Sequence, residues 1–372
     1  MKTMIKVKKA TLHLIEQNLL SPFVTSMGKV DKRESILVEV EDVDGAVGWG
    51  EVVAFSSPWY TEETIKTCWH MLEDFLVPKM LKEEYGHPEQ LHNSFQFVKR
   101  NNMAKASLDM AIWDLFSKKQ GISLSKALGG TKDFIDSGVV VSINSIDRVL
   151  DKMEEHVKSG YKRIKIKIKP GQDYDLLKRI RYEFPALPLM VDANSAYTLK
   201  DIDQLQALDE FSLMMIEQPL AEDDIFDHAK LQKELSTPIC LDESITSADD
   251  ARKAIEMGSC QVINIKIGRV GGITEAKRIH DICKTNHIPV WCGGMLETGI
   301  SRAHNIALAS LPNFTIPGDI SASSRYWNKD VIMPEVMVED GCIAVPHSPG
   351  IGYQVDQEWV HQITKQKLVL EL

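Results

Sequence analysis

Long apolar runs are missing from this sequence. No stretch of about 18 apolar residues occurs, so no segment is suited to span a bilayer. The opening MKTMIKVKKATLHLIEQ carries lysines without the apolar core of a signal peptide. Cysteine is sparse and scattered: Cys68, Cys240, Cys260, Cys283, Cys292 and Cys342 form neither a CxxC pair nor a zinc-spaced Cys/His set. Disulfide frameworks and zinc modules are therefore not encoded, and most of these thiols read as small buried hydrophobes in a reducing compartment. No GxGxxG follows a first strand and no GxxxxGK[ST] occurs, which removes the dinucleotide and P-loop readings. Positive charge is in deficit, with 43 Lys and Arg against 53 Asp and Glu and a net charge of -10. Such a surface repels phosphate backbones and anionic lipids. Nucleic acid and membrane are set aside as partners, and a cytoplasmic protein is expected.

What is present is a globular composition, 44% hydrophobic and 26% charged over 372 residues, long enough for a barrel and an accessory domain. The first third reads as α+β. Ile36, Val38 and Val40 alternate with polar residues, Asp44-Gly45 supplies a turn, and Val47 and Trp49 resume the pattern, as a hairpin would. Ala104, Leu108, Ala111, Ile112 and Leu115 then fall at helical spacing up to Gly121. Beyond Gly129-Gly130-Thr131, short apolar runs recur at 139–143, 164–168, 189–193, 213–218, 239–243, 262–266, 290–294 and 314–319, with helix-compatible stretches between most of them. Eight such units predict a closed (β/α) barrel over 131–324 rather than an open sheet. The tail from about Arg325 loses the period and is expected to return to the 1–130 domain.

In a barrel, polar residues at the C-terminal ends of strands line the mouth where active sites are built. Asp192 in VDAN, Glu217 in IEQP and Asp242 in LDES end three successive runs 25 residues apart, and Lys266 ends the next one after 24 more. The spacing predicts four groups at one height, converging on one point. A single such acid would read as a cap for the helix that follows it. Three of them, one βα unit apart, need a positive charge between them, and a hard divalent cation such as Mg²⁺ fits.

Arg163-Ile164-Lys165-Ile166-Lys167-Ile168-Lys169 alternates base and isoleucine. On an ordinary half-exposed strand the lysines would face water. In a barrel the isoleucines take the helix-covered outer face, which turns Lys165 and Lys167 inward. Neighbouring ammonium groups and a metal are expected to lower a lysine pKa toward use as a base. Lys266 is the opposite number, with Arg269 either lowering its pKa further or holding the loop. Two lysines flanking a metal describe removal of a proton α to a carboxylate, giving an enediolate.

At these residues the sequence resembles the enolase superfamily in its muconate-lactonizing subgroup, and more narrowly the o-succinylbenzoate synthase / N-succinylamino acid racemase family. FSSPWYTEET, KIKIKPGQD, VDANSAYTL, IEQPL, CLDESI, WCGGMLETG and LASLPNFTIPGD carry the likeness. It implies an α/β fold, a modified (β/α)8 barrel of (β/α)7β type, with an α+β capping domain formed by the N-terminal segment and the 325–372 tail. It also implies Mg²⁺, with Mn²⁺ or another divalent cation able to substitute, on Asp192, Glu217 and Asp242. Lys167 and Lys266 would be the acid/base pair. Lys165 would help hold the substrate carboxylate, Asn194 would line the pocket, and Gly294, Met295 and Leu296 would contact the succinyl-bearing part. Phe23 in a Ser21–Asp31 loop, and the Phe55–Tyr60 loop, would screen the substrate from water, with Phe23 equally readable as a domain-interface contact. Family members are often oligomers, so a homo-oligomer acting on a small carboxylate is expected.

The resemblance implies Mg²⁺-dependent syn-dehydration of 2-succinyl-6-hydroxy-2,4-cyclohexadiene-1-carboxylate, a step of menaquinone synthesis. The alternative is racemisation of N-succinylamino acids by the same two lysines, or both activities in one protein. Gly318-Asp319-Ile320-Ser321 lacks the DxD of dipeptide epimerases, and Lys266 does not suit the histidine-dependent mandelate racemase pattern. Ile267-Gly268 follows Lys266 where many relatives carry proline. A non-catalytic scaffold barrel is disfavoured, because buried charges of this kind are costly without a use.

Overall fold

Strand β2 (Gly28–Asp42) carries Ile36, Val38 and Val40 on one face and Leu37 among polar residues on the other. The computed structural model describes residues 3–25, 28–142 and 145–372, and leaves the side chains of 23–29 outside the description, Phe23 among them. Ile36, Val38 and Val40 pack into one buried cluster with the helix Asn102–Gln120, while Leu37 joins Trp49 and Ile15 in the cluster shared with the barrel. β2 pairs antiparallel with β1 (Val7–Thr25) and with β3 (Val47–Val52), the latter across the Asp44-Gly45 turn. β3 lies directly against the long helix: a Cβ on Gly48 would stand 2.1 Å from the Ala111 carbonyl oxygen, and one on Gly50 1.9 Å from that of Ser107. Only glycine permits that approach.

Of the segment expected to be a Ser21–Asp31 loop, the described residues 21–25 and 28–31 instead belong to β1 and β2. Asn18 pairs with Lys32 and Phe23 with Val30, so residues 19–22 bulge out between them.

After β4 (Phe134–Asp136), seven parallel strands follow in order among the described residues: β5 (Gly138–Val141), β6 (Arg163–Lys167), β7 (Leu189–Asp192), β8 (Ile216–Glu217), β9 (Ile239–Leu241), β10 (Val262–Ile265) and β11 (Val290–Cys292). The eighth apolar run is not a ladder strand, since Pro317 has no N–H to continue one. It still closes the ring through bridges from Phe314 to Val290 and from Gly318 to Ser137. Helices such as Ala248–Met257, ended by Gly258 in the left-handed region at φ 71°, cover the outside.

Beyond the barrel, β12 (Ile332–Met333) pairs with β14 (Gln354–Val355), and β13 (Cys342–Ala344) with β4. β15 (Thr364–Glu371) runs antiparallel to β1, with Leu368 opposite Leu12.

Buried polar contacts fix the N-terminal sheet and helix to the barrel. The Glu51 carboxylate accepts from the Thr298 N–H (3.0 Å), the Thr298 hydroxyl (2.8 Å) and the Ser301 N–H (3.1 Å) at the start of the helix Gly299–Ala309. Asp109 accepts from the Thr274 N–H and hydroxyl in the first turn of the helix Ile273–Thr285. Among the described residues no helix is long and apolar enough to cross a membrane.

Candidate active site

The alternation in β6 sorts its side chains between two environments. Ile164 and Ile166 join the outer core that packs under the helices. Arg163, Lys165 and Lys167 turn inward, where Arg163 and Lys165 lie 4.9 and 5.0 Å from the Trp291 ring centroid. Lys165 Nζ stands 2.7 Å from Asp319 Oδ2, 3.0 Å from Glu217 Oε2 and 3.5 Å from Asp192 Oδ2. Lys167 Nζ reaches Asp192 Oδ2 at 3.3 Å and donates to Asn194 Oδ1.

Register qualifies the expectation of one common height. Lys167, Asp192 and Glu217 are aligned across β6–β8, but Cys240 stands opposite Glu217 and Val262 opposite Cys240. Asp242 is therefore two residues further along the ladder, and Lys266 two further again. The tilt and stagger of barrel strands absorb this offset.

On that side Lys266 Nζ lies 2.7 Å from Asp242 Oδ2, and Arg269 donates to Asp242 Oδ1. Tyr60 arrives from the N-terminal domain: its hydroxyl oxygen is 2.9 Å from Lys266 Nζ and 3.1 Å from Arg269 Nη1. Lys266 caps a one-turn helix, Ile267–Val270, and faces Asp242. Gln218 locks the loop behind Asp242. Its side-chain Oε1 accepts from the Asp242 and Ser244 N–H groups, and its Nε2 donates to Ser244 Oγ at 2.7 Å.

The electrostatics follow from these pairings. Burial works against the Lys165 charge, yet Asp319, Glu217 and Asp192 outweigh it and hold its pKa above the ordinary lysine value. Lys266 is raised in the same way, with burial overcome by Tyr60, Glu243 and Glu217. Both lysines are paired directly with acids here, so attraction exceeds the mutual repulsion of the ammonium groups. Asp192 is lowered despite its burial, through Lys167 and Lys165, whereas burial and the Asp192 charge raise Glu217. Burial also raises Glu243, with Lys266 opposing and Asp192 and Glu217 adding to the rise.

Among the described residues no three Asp, Glu, His or Cys side chains stand as a ready-made metal cage. Asp242 is engaged by Lys266 and Arg269, while Asp192 and Glu217 share Lys165. The donor chemistry nevertheless fits a hard divalent cation. The three buried acids offer oxygen alone, Glu217 and Asp192 repel each other, and the nearby Glu243 Oε2 is buried without a partner.

A cavity of about 300 Å³ opens over these groups. Of the residues singled out in the sequence, Lys165, Lys167, Asp192, Asn194, Lys266, Gly294, Met295 and Leu296 line it, and Glu217 and Asp242 stand behind them. Phe55, Trp59 and Tyr60 form its lid from the N-terminal domain, with the Phe55 and Trp59 rings 4.4 Å apart. Sequence reasoning missed Asp319, Glu243, Gln218 and Arg325 as site residues. Asp319 ends the eighth apolar run, so the strand-end rule that found the other acids also applies to it. Gln218 and Glu243 likewise end the 213–218 and 239–243 runs, each directly after an acid already singled out, whereas no comparable signal marks Arg325.

Barrel, cap and site together define a class, and comparison with known proteins agrees. Residues 9–129 match the mandelate racemase / muconate lactonizing enzyme N-terminal domain, and 148–359 the enolase C-terminal domain-like family. The chain belongs to the mandelate racemase / muconate lactonizing enzyme family of the enolase superfamily. Within it, the chain is 57% identical to the o-succinylbenzoate synthase of Bacillus subtilis (strain 168), over 95% of this chain and 96% of that protein. It is 45% identical to the N-succinylamino acid racemase of Thermus thermophilus, over 97% of this chain and 98% of that one. An enolase superfamily structure from Listeria innocua superposes with a TM-score of 0.96 at 41% identity, covering 99% of both chains.

Proposed function

We propose that this chain is an o-succinylbenzoate synthase, a carbon–oxygen lyase that dehydrates 2-succinyl-6-hydroxy-2,4-cyclohexadiene-1-carboxylate in menaquinone biosynthesis. The observation that carries this reading is the 57% identity to a synthase along nearly the whole of both chains. The lysines on either side of the acid cluster support it. A Mg²⁺ ion on Asp192, Glu217 and Asp242 would supply Lewis-acid stabilisation of charge on the substrate carboxylate.

The remaining chemistry belongs to the chain. Lys167, the most accessible of the inward lysines of β6, removes the ring proton α to the carboxylate. It then returns that proton to the hydroxyl leaving from the same face, so that water departs and the ring becomes aromatic. Lys266, on the opposite side, stays protonated and balances the enediolate charge. Lys165 and Asn194 orient the carboxylate end. Gly294, Met295 and Leu296 contact the succinyl arm, and Phe55, Trp59 and Tyr60 exclude water, with Phe23 assigned the same part. Residues 1–130 with 325–372 form the cap and 131–324 the catalytic barrel. The working protein is a cytoplasmic homo-oligomer acting on a small carboxylate.

Spectrophotometric conversion of the cyclohexadiene to o-succinylbenzoate with Mg²⁺ tests the assignment, and absence of turnover by the wild type overturns it. A second activity, racemisation of N-succinylamino acids, is favoured by one observation: Lys167 and Lys266 both line the cavity, one on each side. Each would serve one face of the α-carbon.

A further inference from the structure

One cation in the cavity has no part in the chemistry above. Arg325 lies at the end of a helical turn, Ser323–Arg325, that follows the ring-closing segment, and it lines the cavity half-buried. Its Nη2 donates to the Val140 carbonyl at 2.9 Å, and its guanidinium carbon lies 6.0 Å from the Tyr326 ring centroid. Among the described residues it makes no ion pair, whereas Lys165, Lys167 and Lys266 each face a carboxylate. A guanidinium has five N–H donors in a rigid fork, and a single backbone carbonyl accepts only a fraction of them.

Its place in the ring is also informative. Val140 in β5 pairs with Lys165 in β6, so Arg325 is tied one strand round from Lys165, on the side away from Asp242 and Lys266. The ring-closing segment lies between β5 and β11, which puts Arg325 and the Gly294–Leu296 loop on the same flank of the cavity. The acid cluster and its lysines mark one end of the cavity for the reacting carboxylate. The other end offers a cation with open donors beside small and apolar surface.

We propose that Arg325 binds a second carboxylate of the substrate, at the far end of a short acyl arm, and so makes this a site for dicarboxylates. The assignment rests on the proposed synthase or racemase reading, whose substrates carry such an arm. A guanidinium–carboxylate pair forms two parallel charge-assisted hydrogen bonds, and Lys cannot reproduce that geometry in full. The competing role is purely structural, with Arg325 strapping the end of β5.

Equilibrium binding to the Mg²⁺-loaded protein separates the two. The probes are o-succinylbenzoate and 2-butanoylbenzoate, which keeps the ring carboxylate, the ketone and the chain but ends in methyl. Wild type is expected to prefer the diacid at least tenfold. Arg325→Gln is expected to erase most of that preference, and Arg325→Lys to retain part of it. α-Proton exchange in D₂O with N-succinyl- and N-acetylphenylalanine gives the same comparison under turnover, the loss in Arg325→Gln falling mainly on KM for the succinyl compound. Equal weakening of both probes in Arg325→Gln, or no preference in wild type, overturns the assignment while leaving the synthase reading intact. A wild type that dehydrates the cyclohexadiene substrate not at all overturns both.

Discussion

The Tyr60 hydroxyl, carried by the N-terminal domain, lies 2.9 Å from the Lys266 ammonium of the barrel, with its ring 4.7 Å beneath the same nitrogen. The N-terminal domain thus touches the barrel lysine directly. Tyr60→Phe keeps the ring and loses a charge-assisted hydrogen bond, so kcat/KM for racemisation should fall about tenfold. Tyr60→Ala should fall further. Steady-state kinetics of the two variants on one substrate provide the check.

Lys167 and Lys266 should separate the two activities. Lys167→Ala is expected to lose roughly 10³-fold or more in both dehydration and α-proton exchange, the scale of a general acid/base group. Lys266→Arg keeps a cation but removes a usable base, so racemisation should vanish while dehydration, with its proton chemistry on the Lys167 face, falls less. Racemisation surviving in Lys266→Arg would rule out two-base chemistry.

Divalent metal should stabilise the fold. The acids at 192 and 217 repel each other, and an ion bound only by the native state adds RT ln(1 + [L]/Kd), about 2.7 kcal/mol at a hundredfold excess over Kd. Thermal unfolding should shift upward with Mg²⁺ and return with EDTA. In Glu217→Gln most of the shift should disappear.

Gly50→Ala should destabilise by about 1–3 kcal/mol or more, because the new methyl would stand 1.9 Å from the Ser107 carbonyl oxygen, with backbone on both sides of the contact. Urea denaturation measures it. Gly45→Ala, in open space at φ 87°, should suffer only from its backbone conformation.

Asp109 predicts a pH dependence. Burial pushes its carboxyl up to about 7, against the opposing hydrogen bonds from Thr274. A folded pKa above the unfolded value means the native state holds the proton more tightly. The contribution is full below about pH 4 and is lost as pH rises toward and through 7. The melting temperature should therefore fall between pH 5 and 8, and Asp109→Asn should flatten that slope.

Much of the fold was legible because barrel strands repeat. Apolar runs 25 residues apart, each ending in a polar group, encode βα units directly, and β6 declared its two faces through strict alternation of Ile and Lys. The hairpin and the long helix were equally plain from Asp44-Gly45 and from the spacing of Ala104 to Leu115. What escaped depends on contacts between distant segments. Arg325 meets Val140 across 185 residues, and Tyr60 meets Lys266 across 206, with no local pattern to announce either. The individual pairings, Lys165 with Asp319 and Glu217 and Lys266 with Asp242, depend on side-chain placement across several strands, which spacing alone does not specify.

β15 completes the N-terminal sheet by pairing along β1, Lys9 to Glu371 at one end and Ile15 to Thr364 at the other. During synthesis, then, β1 keeps a bare row of amide and carbonyl groups until the ribosome has passed residue 371. The nascent chain must wait through the whole barrel before this edge is sealed, and that interval is when a chaperone would matter most to it.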